Sequence, residues 1–517
     1  TFEARGYTAW DPTSPAFLLE GNGAKTLVIP SVFLSWTGDV LDLKTPFLRS
    51  LKALNESAIG LQRLLGNRAA KRIKVFAGPE QEYFLVSKKL WATRPDLRIC
   101  HRTLFGAPPS KGQQMEDHYF GSIKENVLHF MEELDVELYR RGIPSKTRHN
   151  EVSPNQFEVA PLYQEANLAI DNNLQLMTIM EKVADKHGFV AILHEKPFAG
   201  VNGSGKHYNW SLGDNTGENY LEPSKSPLRN VNFLMTIGAV LLGVNKYGGV
   251  LRAAVADAGN DHRLGANEAP PAIMSVYLGE YLDGLFNQIE GISKITEQKL
   301  SEINLGIQNL PRLSKDYSDR NRTSPVAFTG NKFEFRAVGS SRNCAEAGTT
   351  LNLLAAYGYH TIRERILAKK GNADVKEKAL EVLKEVLKET KRVRFEGNNY
   401  SAEWHKEAAK RKLPNARNTP QSLELMLDKE AAGLFTAFDV LSERELHSKV
   451  DIKLETYVKV KIIECKTAID MVHALIFPAV IKQINAIAQA ASAVKGLGVK
   501  PGAIADDLKR LCALYQE

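Results

Sequence analysis

Short segments in which polar and apolar side chains alternate constrain the fold of this chain most strongly. Successive side chains of a β-strand point to opposite faces, so this alternation predicts a sheet with one chemical face and one core face. His207, Asn209 and Ser211 share one face of such a segment, and the residues between them are Tyr, Trp and Leu. Because segments of this kind that carry charge recur between residues 78 and 343, we expect the functional site there.

Apolar residues at helical spacing dominate the chain from about residue 345 onward. With Lys and Glu between them, they are typical of amphipathic helices. The same spacing predicts helices over 45–70, 117–141, 164–187, 273–304, 375–387, 420–450 and 455–495. Pro478 predicts a kink in the last of these.

The composition excludes several classes of protein. Lys and Arg outnumber Asp and Glu by 67 to 60, but they mix with Glu and Ala instead of forming a patch, so we expect no nucleic-acid partner. The uncharged stretches 230–245 and 471–481 fall short of the ~18–20 apolar residues of a membrane span, so we expect no membrane segment. The 4 cysteines lie far apart, which argues against a disulfide scaffold or zinc ribbon and fits a reducing cytoplasm. The start at Thr1 leads us to expect that the sequence begins inside a longer protein.

Two pairs of glutamates are candidates for metal ligation. Glu80 and Glu82 share a strand face, where adjacent carboxylates repel each other unless a cation joins them; the alternative is an exposed acidic edge. Glu151 and Glu158 flank the turn signal 154–155, and a two-residue hairpin there would place them directly opposite each other. Metal ligation and a surface turn both remain open for this second pair.

The segment 200–206 matches the spacing of a phosphate-binding loop, but we reject that interpretation. The motif needs Ser or Thr next and then a helix, whereas His207 follows here and begins an alternating, strand-like run. A glycine-rich turn therefore leads into a strand whose polar face carries an imidazole. Further along, Glu334 and Arg336 share one face of another alternating segment, where a surface ion pair is the alternative to a functional role.

Five carboxylates and one imidazole on strand-like segments are oxygen-rich ligands with one nitrogen, which suits Mg²⁺ or Mn²⁺. Three arginines beside such cations suit a phosphoryl-transfer site that also grips a carboxylate. These arginines are Arg263, Arg322 and Arg336.

In this order, the motifs GPEQEYFLV, EVSPNQFEV, NGSGKHYNWSL, RLGANEAP, NRTSP and FEFR resemble glutamine synthetase. The long helical C-terminal region is similar to the large bacterial type III branch. The resemblance implies an α+β fold with a curved antiparallel sheet lining the active site. It also implies three parts: the end of a β-rich N-terminal domain at 1–45, a catalytic core at 46–345 and a helical region at 346–517.

The resemblance implies two or more Mg²⁺ or Mn²⁺ ions per active site, with ATP as a substrate. The ion nearer glutamate and ammonia would be held by Glu82, Glu151 and Glu158. The ion nearer the nucleotide phosphates would be held by Glu80, His207 and Glu334. Glutamate would contact Arg263, Asn202 and Gly203, and Arg336 would contact its reacting γ-carboxylate. ATP would contact Asn209, Ser211, Arg322 and Lys332.

Two acidic residues complete the implied catalytic set. Glu268 stands where the family has the glutamate that shields the intermediate, although its spacing from Arg263 is one residue shorter than expected. Glu3 stands where the family has an Asp that deprotonates ammonium, and the serines usual in that segment are absent. The implied reaction is the ATP-dependent ligation of ammonia to L-glutamate through γ-glutamyl phosphate.

In this family the N-terminal segment completes the active site of a neighbouring subunit. The resemblance therefore implies a cytoplasmic homo-oligomer of stacked hexameric rings, a dodecamer. Three alternatives remain open: a related ligase that joins glutamate to another amine, a guanidino-type kinase with the same catalytic fold, and a non-catalytic relative. Retention of all six metal-ligand positions argues against the last of these.

Overall fold

The computed structural model describes residues 6–21, 23–224, 227–267, 269–291, 302–303, 313–314 and 322–516. Within these ranges the strands are β1 (Gly6–Trp10), β2 (Phe17–Gly21), β3 (Ala24–Val28), β4 (Ser31–Ser35), β5 (Ile73–Ser87), β6 (Ser145–Asn150), β7 (Gln156–Pro161), β8 (Gln164–Glu165), β9 (Phe189–Ile192), β10 (Gly205–Asp214), β11 (Val276–Tyr277), β12 (Glu302–Ile303), β13 (Leu313–Ser314), β14 (Val326–Phe328) and β15 (Phe333–Gly339).

The α-helices of the described residues are α1 (Lys44–Leu64), α2 (Lys88–Ala92), α3 (Pro95–Cys100), α4 (Asp117–Phe120), α5 (Glu125–Tyr139), α6 (Ala166–Lys186), α7 (Val231–Ala254), α8 (Asn260–Arg263), α9 (Glu280–Glu290), α10 (Ala345–Ala368), α11 (Val375–Glu389), α12 (Ala402–Lys410), α13 (Thr419–Met426), α14 (Lys429–Ala437), α15 (Glu443–Met471), α16 (Phe477–Gly496) and α17 (Gly502–Gln516). Short 3₁₀ turns occupy Gln114–Glu116, Pro227–Arg229 and Thr390–Val393.

A central sheet runs in the order β11-β14-β15-β10-β5-β7-β6, with β8 and β9 also paired to β5. Its pairs are antiparallel except for β11 and β14, which are parallel. The exception lies at the edge and involves a strand of only 2 residues, so it leaves the antiparallel part of the sheet intact. The α+β fold is confirmed, and the sheet itself is mixed instead of wholly antiparallel.

The core lies against one face of this sheet. Tyr208 and Trp210 of β10 are fully buried there, as the alternation predicts. Helices α1, α7 and α10 pack together behind them, and α7 is buried along almost its whole length. The opposite face of the same strands is therefore left for polar side chains.

The predicted helix over 273–304 is present in its described part, but over a shorter range. That stretch begins with the short strand β11, and α9 then spans only Glu280–Glu290. Gly279 and Gly291 flank this helix with φ angles of 86° and 82°, in the left-handed region that favours glycine. The two glycines therefore set both helix boundaries, which apolar periodicity alone does not reveal.

The C-terminal region is helical, and the break expected near Pro478 is present. A π-turn, Val472–Ile476, separates α15 from α16, with Pro478 in the first turn of α16. A proline has no N–H to donate to the preceding turn, so the regular hydrogen-bond ladder is interrupted there.

Two helical stretches of the described residues are long and apolar enough to cross a membrane by length and composition alone. One is the core helix α7, whose apolar window is 89% buried. The other runs through α15 and α16, where only 6% of the window is buried. The expectation counted uncharged stretches only, whereas these windows tolerate a few charges.

Candidate active site

The strand register gathers the predicted ligand residues on one face of the central sheet. Glu80 of β5 lies opposite His207 of β10, and Glu82 lies opposite Glu158 of β7. On the other side of β10, Asn209 lies opposite Glu334 of β15. Directly paired residues share a face, so these side chains point the same way. All six predicted metal-ligand residues line a single cavity of about 580 Å³.

The turn between β6 and β7 differs from the predicted two-residue hairpin. Glu158 lies opposite His149, and the Glu151 N–H donates to the carbonyl of Gln156 over 2.9 Å. Four residues, 152–155, therefore form the loop, and Asn155 adopts a φ of 59° in it. Glu151, which directly follows β6 and lies two residues beyond His149, still lines the same cavity as Glu158.

His207 sits among three of the carboxylates. Its Nδ1 atom lies 3.1 Å from Glu80 Oε2 and 3.1 Å from Glu334 Oε1, and its Nε2 lies 4.0 Å from Glu82 Oε1. Burial opposes the charged imidazole, but hydrogen bonds with Glu334 and Glu80 raise the pKa of His207 well above 6.5. The neighbouring carboxylates therefore favour the charged form of this imidazole when no cation is bound.

Burial opposes the negative charges of Glu82 and Glu151. Burial, and then the charge of Glu151, raises the pKa of Glu82 to about 7. Burial and the charge of Glu158 likewise raise the pKa of Glu151 to about 7. Crowded, buried carboxylates of this kind are stabilised in their ionised form by a divalent cation. The ligand residues of this cavity therefore fit a site for Mg²⁺ or Mn²⁺.

Two groups of potential ligand atoms, each within 4.8 Å of one another, overlap at Glu158. One group adds Glu80 and His207, and the other adds His149 and Glu151. His149 was not among the predicted ligands, although it stands two residues before Glu151 and alternation places the two on the same side of the chain. Its Nε2 lies 3.0 Å from Glu158 Oε1, and this hydrogen bond raises the pKa of His149 to about 9.

Arg263 reaches the cavity from the one-turn helix α8, with only 3% of the residue exposed. Its Nη2 donates to the carbonyl of Arg336 over 2.9 Å. The guanidinium packs directly on Gly205, where a Cβ atom would lie 2.2 Å from Nη2. Gly205 therefore leaves room for the Arg263 side chain. This packing explains why the segment 200–206 has a glycine at this position although it is not a phosphate-binding loop.

The other two arginines also line the cavity. Arg336 Nε lies 3.0 Å from Glu334 Oε1, which ties the arginine to a predicted metal ligand. Arg322 places its guanidinium carbon 5.9 Å from the centre of the Tyr119 ring. Three positive groups thus face a carboxylate cluster across one cavity, which provides for anionic substrates as well as cations.

The polar residues predicted for the substrates mostly line the same cavity. Asn202, Gly203, Asn209 and Lys332 are among its lining residues, whereas Ser211 is not. Asn209 donates from Nδ2 to Glu80 Oε1 over 2.9 Å, so the nearby ligand carboxylate fixes its orientation. Ser211 pairs with Phe76 further along β10, which places it away from the ligand residues.

Glu3 and Glu268 lie outside the described residues, so their predicted roles stay predictions. The flanks of Glu268 line the cavity at Asn267, Ala269 and Pro270. Gly265 and Asn267 have φ angles of 76° and 35°, the unusual backbone that the loop composition predicts.

Several lining residues were not among the predicted site residues. They include Glu116, Tyr119, Gln156, Thr329 and Tyr400. Gln156 donates from Nε2 to the Gly203 carbonyl and the Ser204 hydroxyl, each over 3.0 Å. These hydrogen bonds join the start of β7 to the turn that precedes β10. Contacts of this kind join distant segments and are invisible to local patterns.

A carboxylate-rich sheet face with three arginines lining the same cavity defines a cation-dependent phosphoryl-transfer or ligase site. Three stretches of the chain match family descriptions: "Glutamine synthetase type III N terminal" at 1–50, "Glutamine synthetase, catalytic domain" at 60–245 and "Glutamine synthetase C-terminal domain" at 378–495. The chain is 46% identical over 495 residues to the type-3 glutamine synthetase of Dictyostelium discoideum, covering 96% of this chain and 67% of that protein. It is 44% identical over 490 residues to a glutamine synthetase of Bacteroides fragilis, covering 94% and 66% respectively.

The chain therefore belongs to the glutamine synthetase family, in its type III branch. It spans about two thirds of the length of these relatives. The identity over most of the chain and the catalytic-domain match favour glutamine synthesis over ligation to another amine.

Solved structures support the fold. One titled "CryoEM Plasmodium falciparum glutamine synthetase" matches with a TM-score of 0.56 at 15% identity, covering 89% of this chain and 84% of that one. Another, titled "Apo GmaS without ligand", matches with a TM-score of 0.54 at 16% identity, covering 88% and 82%.

Proposed function

We propose that this chain catalyses the ATP-dependent ligation of ammonia to L-glutamate, giving L-glutamine, ADP and phosphate. The observation that carries the proposal is the convergence of six ligand residues and three arginines on one cavity. The γ-carboxylate oxygen of glutamate attacks the γ-phosphorus of ATP, and ADP leaves. Ammonia then attacks the carbonyl carbon of γ-glutamyl phosphate, and phosphate leaves with the acyl oxygen that it received.

Two divalent cations would be held by the two halves of the ligand set. Glu82, Glu151 and Glu158 would hold the ion nearer glutamate and ammonia. Glu80, His207 and Glu334 would hold the ion nearer the ATP phosphates. Bound cations neutralise the charge that accumulates between two anionic reactants. The raised pKa values of Glu82 and Glu151 support this, since those carboxylates are poorly compensated without a cation.

Each of the three arginines would contact a different anionic group of glutamate or ATP. Arg263, in the buried wall beside Asn202 and Gly203, would pair with the glutamate α-carboxylate. Arg336, already oriented by Glu334, would contact the γ-carboxylate that accepts the phosphoryl group. Arg322, Lys332 and Asn209, which line the cavity, would contact ATP. Fixed cationic donors of this kind stabilise charge as it moves in the transition state.

Two further carboxylates would act on the nitrogen substrate. Glu268, between lining residues of the cavity, would close over the intermediate and keep water from the acyl phosphate. Glu3 of a neighbouring subunit would take the proton from ammonium, since only free ammonia has the lone pair that attacks. Both roles rest on the family resemblance.

The assembly belongs to the same proposal: a cytoplasmic homo-oligomer of hexameric rings, stacked as a dodecamer. Large aromatic side chains near the N-terminus support a subunit contact there. Tyr7, Trp10 and Trp36 are 65%, 64% and 67% exposed in the single chain. Exposed large apolar side chains are common where protein surfaces associate. The 4 unpaired cysteines support a reducing compartment.

The test is ATP-dependent amidation of glutamate with Mg²⁺ or Mn²⁺, comparing ammonium with methylamine and ethylamine. Glutamine formed in proportion to ADP, with ammonium giving the highest kcat/KM, is the expected result. Preference for an alkylamine would favour the γ-glutamyl-amine ligase. ATP consumption without any amide product would exclude both ligases.

A further inference from the structure

The one-turn helix α8 is held from behind by the C-terminal region. Arg263, its last residue, faces the cavity, while the two residues before it, Asp261 and His262, are not among the lining residues. Successive residues of a helix point about 100° apart, so these three side chains leave α8 in different directions. Asp261 and His262 both contact segments beyond residue 415.

Asp261 anchors α8 to the start of α13. Its Oδ2 accepts from the Thr419 N–H over 2.7 Å, and its Oδ1 lies 3.2 Å from Arg252 Nη2. Arg252 is only 1% exposed and donates from Nε to the carbonyl of Ala416 over 3.0 Å. Hydrogen bonds with charged partners in buried surroundings are the stronger ones, so this anchor fixes α8 at its middle.

His262 anchors α8 to α15. Its Nε2 lies 3.0 Å from Lys461 Nζ, which also contacts Glu464 Oε2 at 2.9 Å. Glu464 in turn contacts Arg102 Nη1 at 3.1 Å. Burial and the positive charges of Arg102 and Lys461 lower the pKa of His262 to about 4, so the neutral ring accepts the hydrogen bond from Lys461.

These anchors matter because α8 has little stability of its own. It spans 4 residues, and a single isolated turn of helix does not persist without tertiary contacts. At its far end, Arg263 fits tightly between Gly205 and the carbonyl of Arg336. A small rotation of α8 would therefore displace the guanidinium from its slot.

We propose that Asp261 and Lys461 are positioning residues, through which the C-terminal helices set the placement of Arg263 and thereby the affinity for glutamate. The inference rests on the proposed contact between Arg263 and the substrate carboxylate. It assigns a functional role to α15.

The experiment compares Lys461→Met with Lys459→Met in the whole chain. Both changes keep an unbranched stem and remove an ammonium group, but Lys459 is exposed and pairs only with Glu455 on its own helix in the described residues. Lys461→Met should raise the KM for glutamate about tenfold, the size expected for losing one charged hydrogen bond. The KM for ATP and kcat should stay within about twofold, and Lys461→Arg should restore most of the loss.

Thermal unfolding of each variant shows whether it is folded. If Lys461→Met does not fold, the KM for glutamate is measured in Asp261→Asn instead. An unchanged glutamate KM in Lys461→Met, or an equal rise in both KM values, would overturn the inference. Arg263→Lys separates this failure from failure of the proposed function. If it raises the glutamate KM while Lys461→Met does not, only the positioning role is lost. If neither variant changes the glutamate KM, the role of Arg263 itself is wrong.

Discussion

Replacing Gly205 by Ala tests whether the slot for Arg263 determines glutamate binding. A Cβ at this position would lie 2.2 Å from Nη2, 2.5 Å from Cζ and 3.1 Å from Nε of Arg263. Ordinary contacts between such atoms lie near ~3.5 Å, so the overlap exceeds about 1 Å. The overlapped atoms are the end of a flexible side chain beside a cavity, so Arg263 can move away instead of unfolding the sheet.

The cost should therefore fall on function more than on stability. We expect Gly205→Ala to lower the free energy of unfolding by about 1–3 kcal/mol, the range for overpacking a core position. A displacement of about 1 Å at a substrate-positioning group can cost ~100-fold in rate. The kcat/KM for glutamate should accordingly fall by roughly 100-fold, while the KM for ATP changes little.

The assay is steady-state amidation with glutamate and ATP varied separately, beside urea unfolding of the same preparations. Gly433→Ala is the matched control: this glycine of α14 is exposed, and a Cβ there would meet no atom within 4 Å beyond its chain neighbours and the backbone of its own helix. It should leave the kinetics unchanged and raise stability by about 1 kcal/mol, since Ala is the better helix former. If the Gly205→Ala variant had wild-type glutamate kinetics, the packing of Arg263 on Gly205 would not determine glutamate binding.

Three further changes test the rest of the site. Arg263→Lys, which loses the two-pronged geometry, should raise the glutamate KM with little effect on ATP, and an unchanged glutamate KM would contradict the clamp. In the metal-free protein, Glu82 and Glu151 with pKa values of about 7 hold protons that an unfolded chain loses near 4.5. The free energy of unfolding should therefore fall as the pH rises from 4.5 to about 7, and this fall should disappear in saturating Mg²⁺. Urea titrations at several pH values, with and without Mg²⁺, measure this difference, and identical curves would argue against the cation site. Glu268→Ala should raise the fraction of ATP hydrolysed without glutamine, measured as phosphate per glutamine, whereas a ratio that stays at one would place the lid elsewhere.

Local sequence patterns predict the ligand face well because strand periodicity is rigid. Alternation alone places Glu80 with Glu82, and Glu334 with Arg336, on shared faces, and the sheet register then joins them. The same rule applied to β6 would have identified His149. Thus the residues that a strand contributes to a site can be inferred once one ligand on that strand is known.

Turn geometry and long-range packing depend on residues that are far apart in the sequence, so local patterns do not predict them. Pro154 and Asn155 signal a turn, but whether the loop has two residues or four depends on the pairing of the flanking strands. The packing of Arg263 on Gly205 joins segments nearly 60 residues apart, and the contact of His262 with Lys461 spans 199 residues. Such contacts emerge only from the assembled fold, as does the attachment of α8 to the C-terminal helices.

The most direct test of the central claim follows the γ-carboxylate oxygen of glutamate. With glutamate labelled by ¹⁸O in its γ-carboxylate, the reaction through γ-glutamyl phosphate transfers one labelled oxygen to phosphate for each glutamine formed. Mass spectrometry of the released phosphate during turnover with ammonium, ATP and Mg²⁺ measures that transfer. One ¹⁸O in each phosphate is the result expected from this site. Glutamine formation with unlabelled phosphate would contradict the acyl-phosphate route.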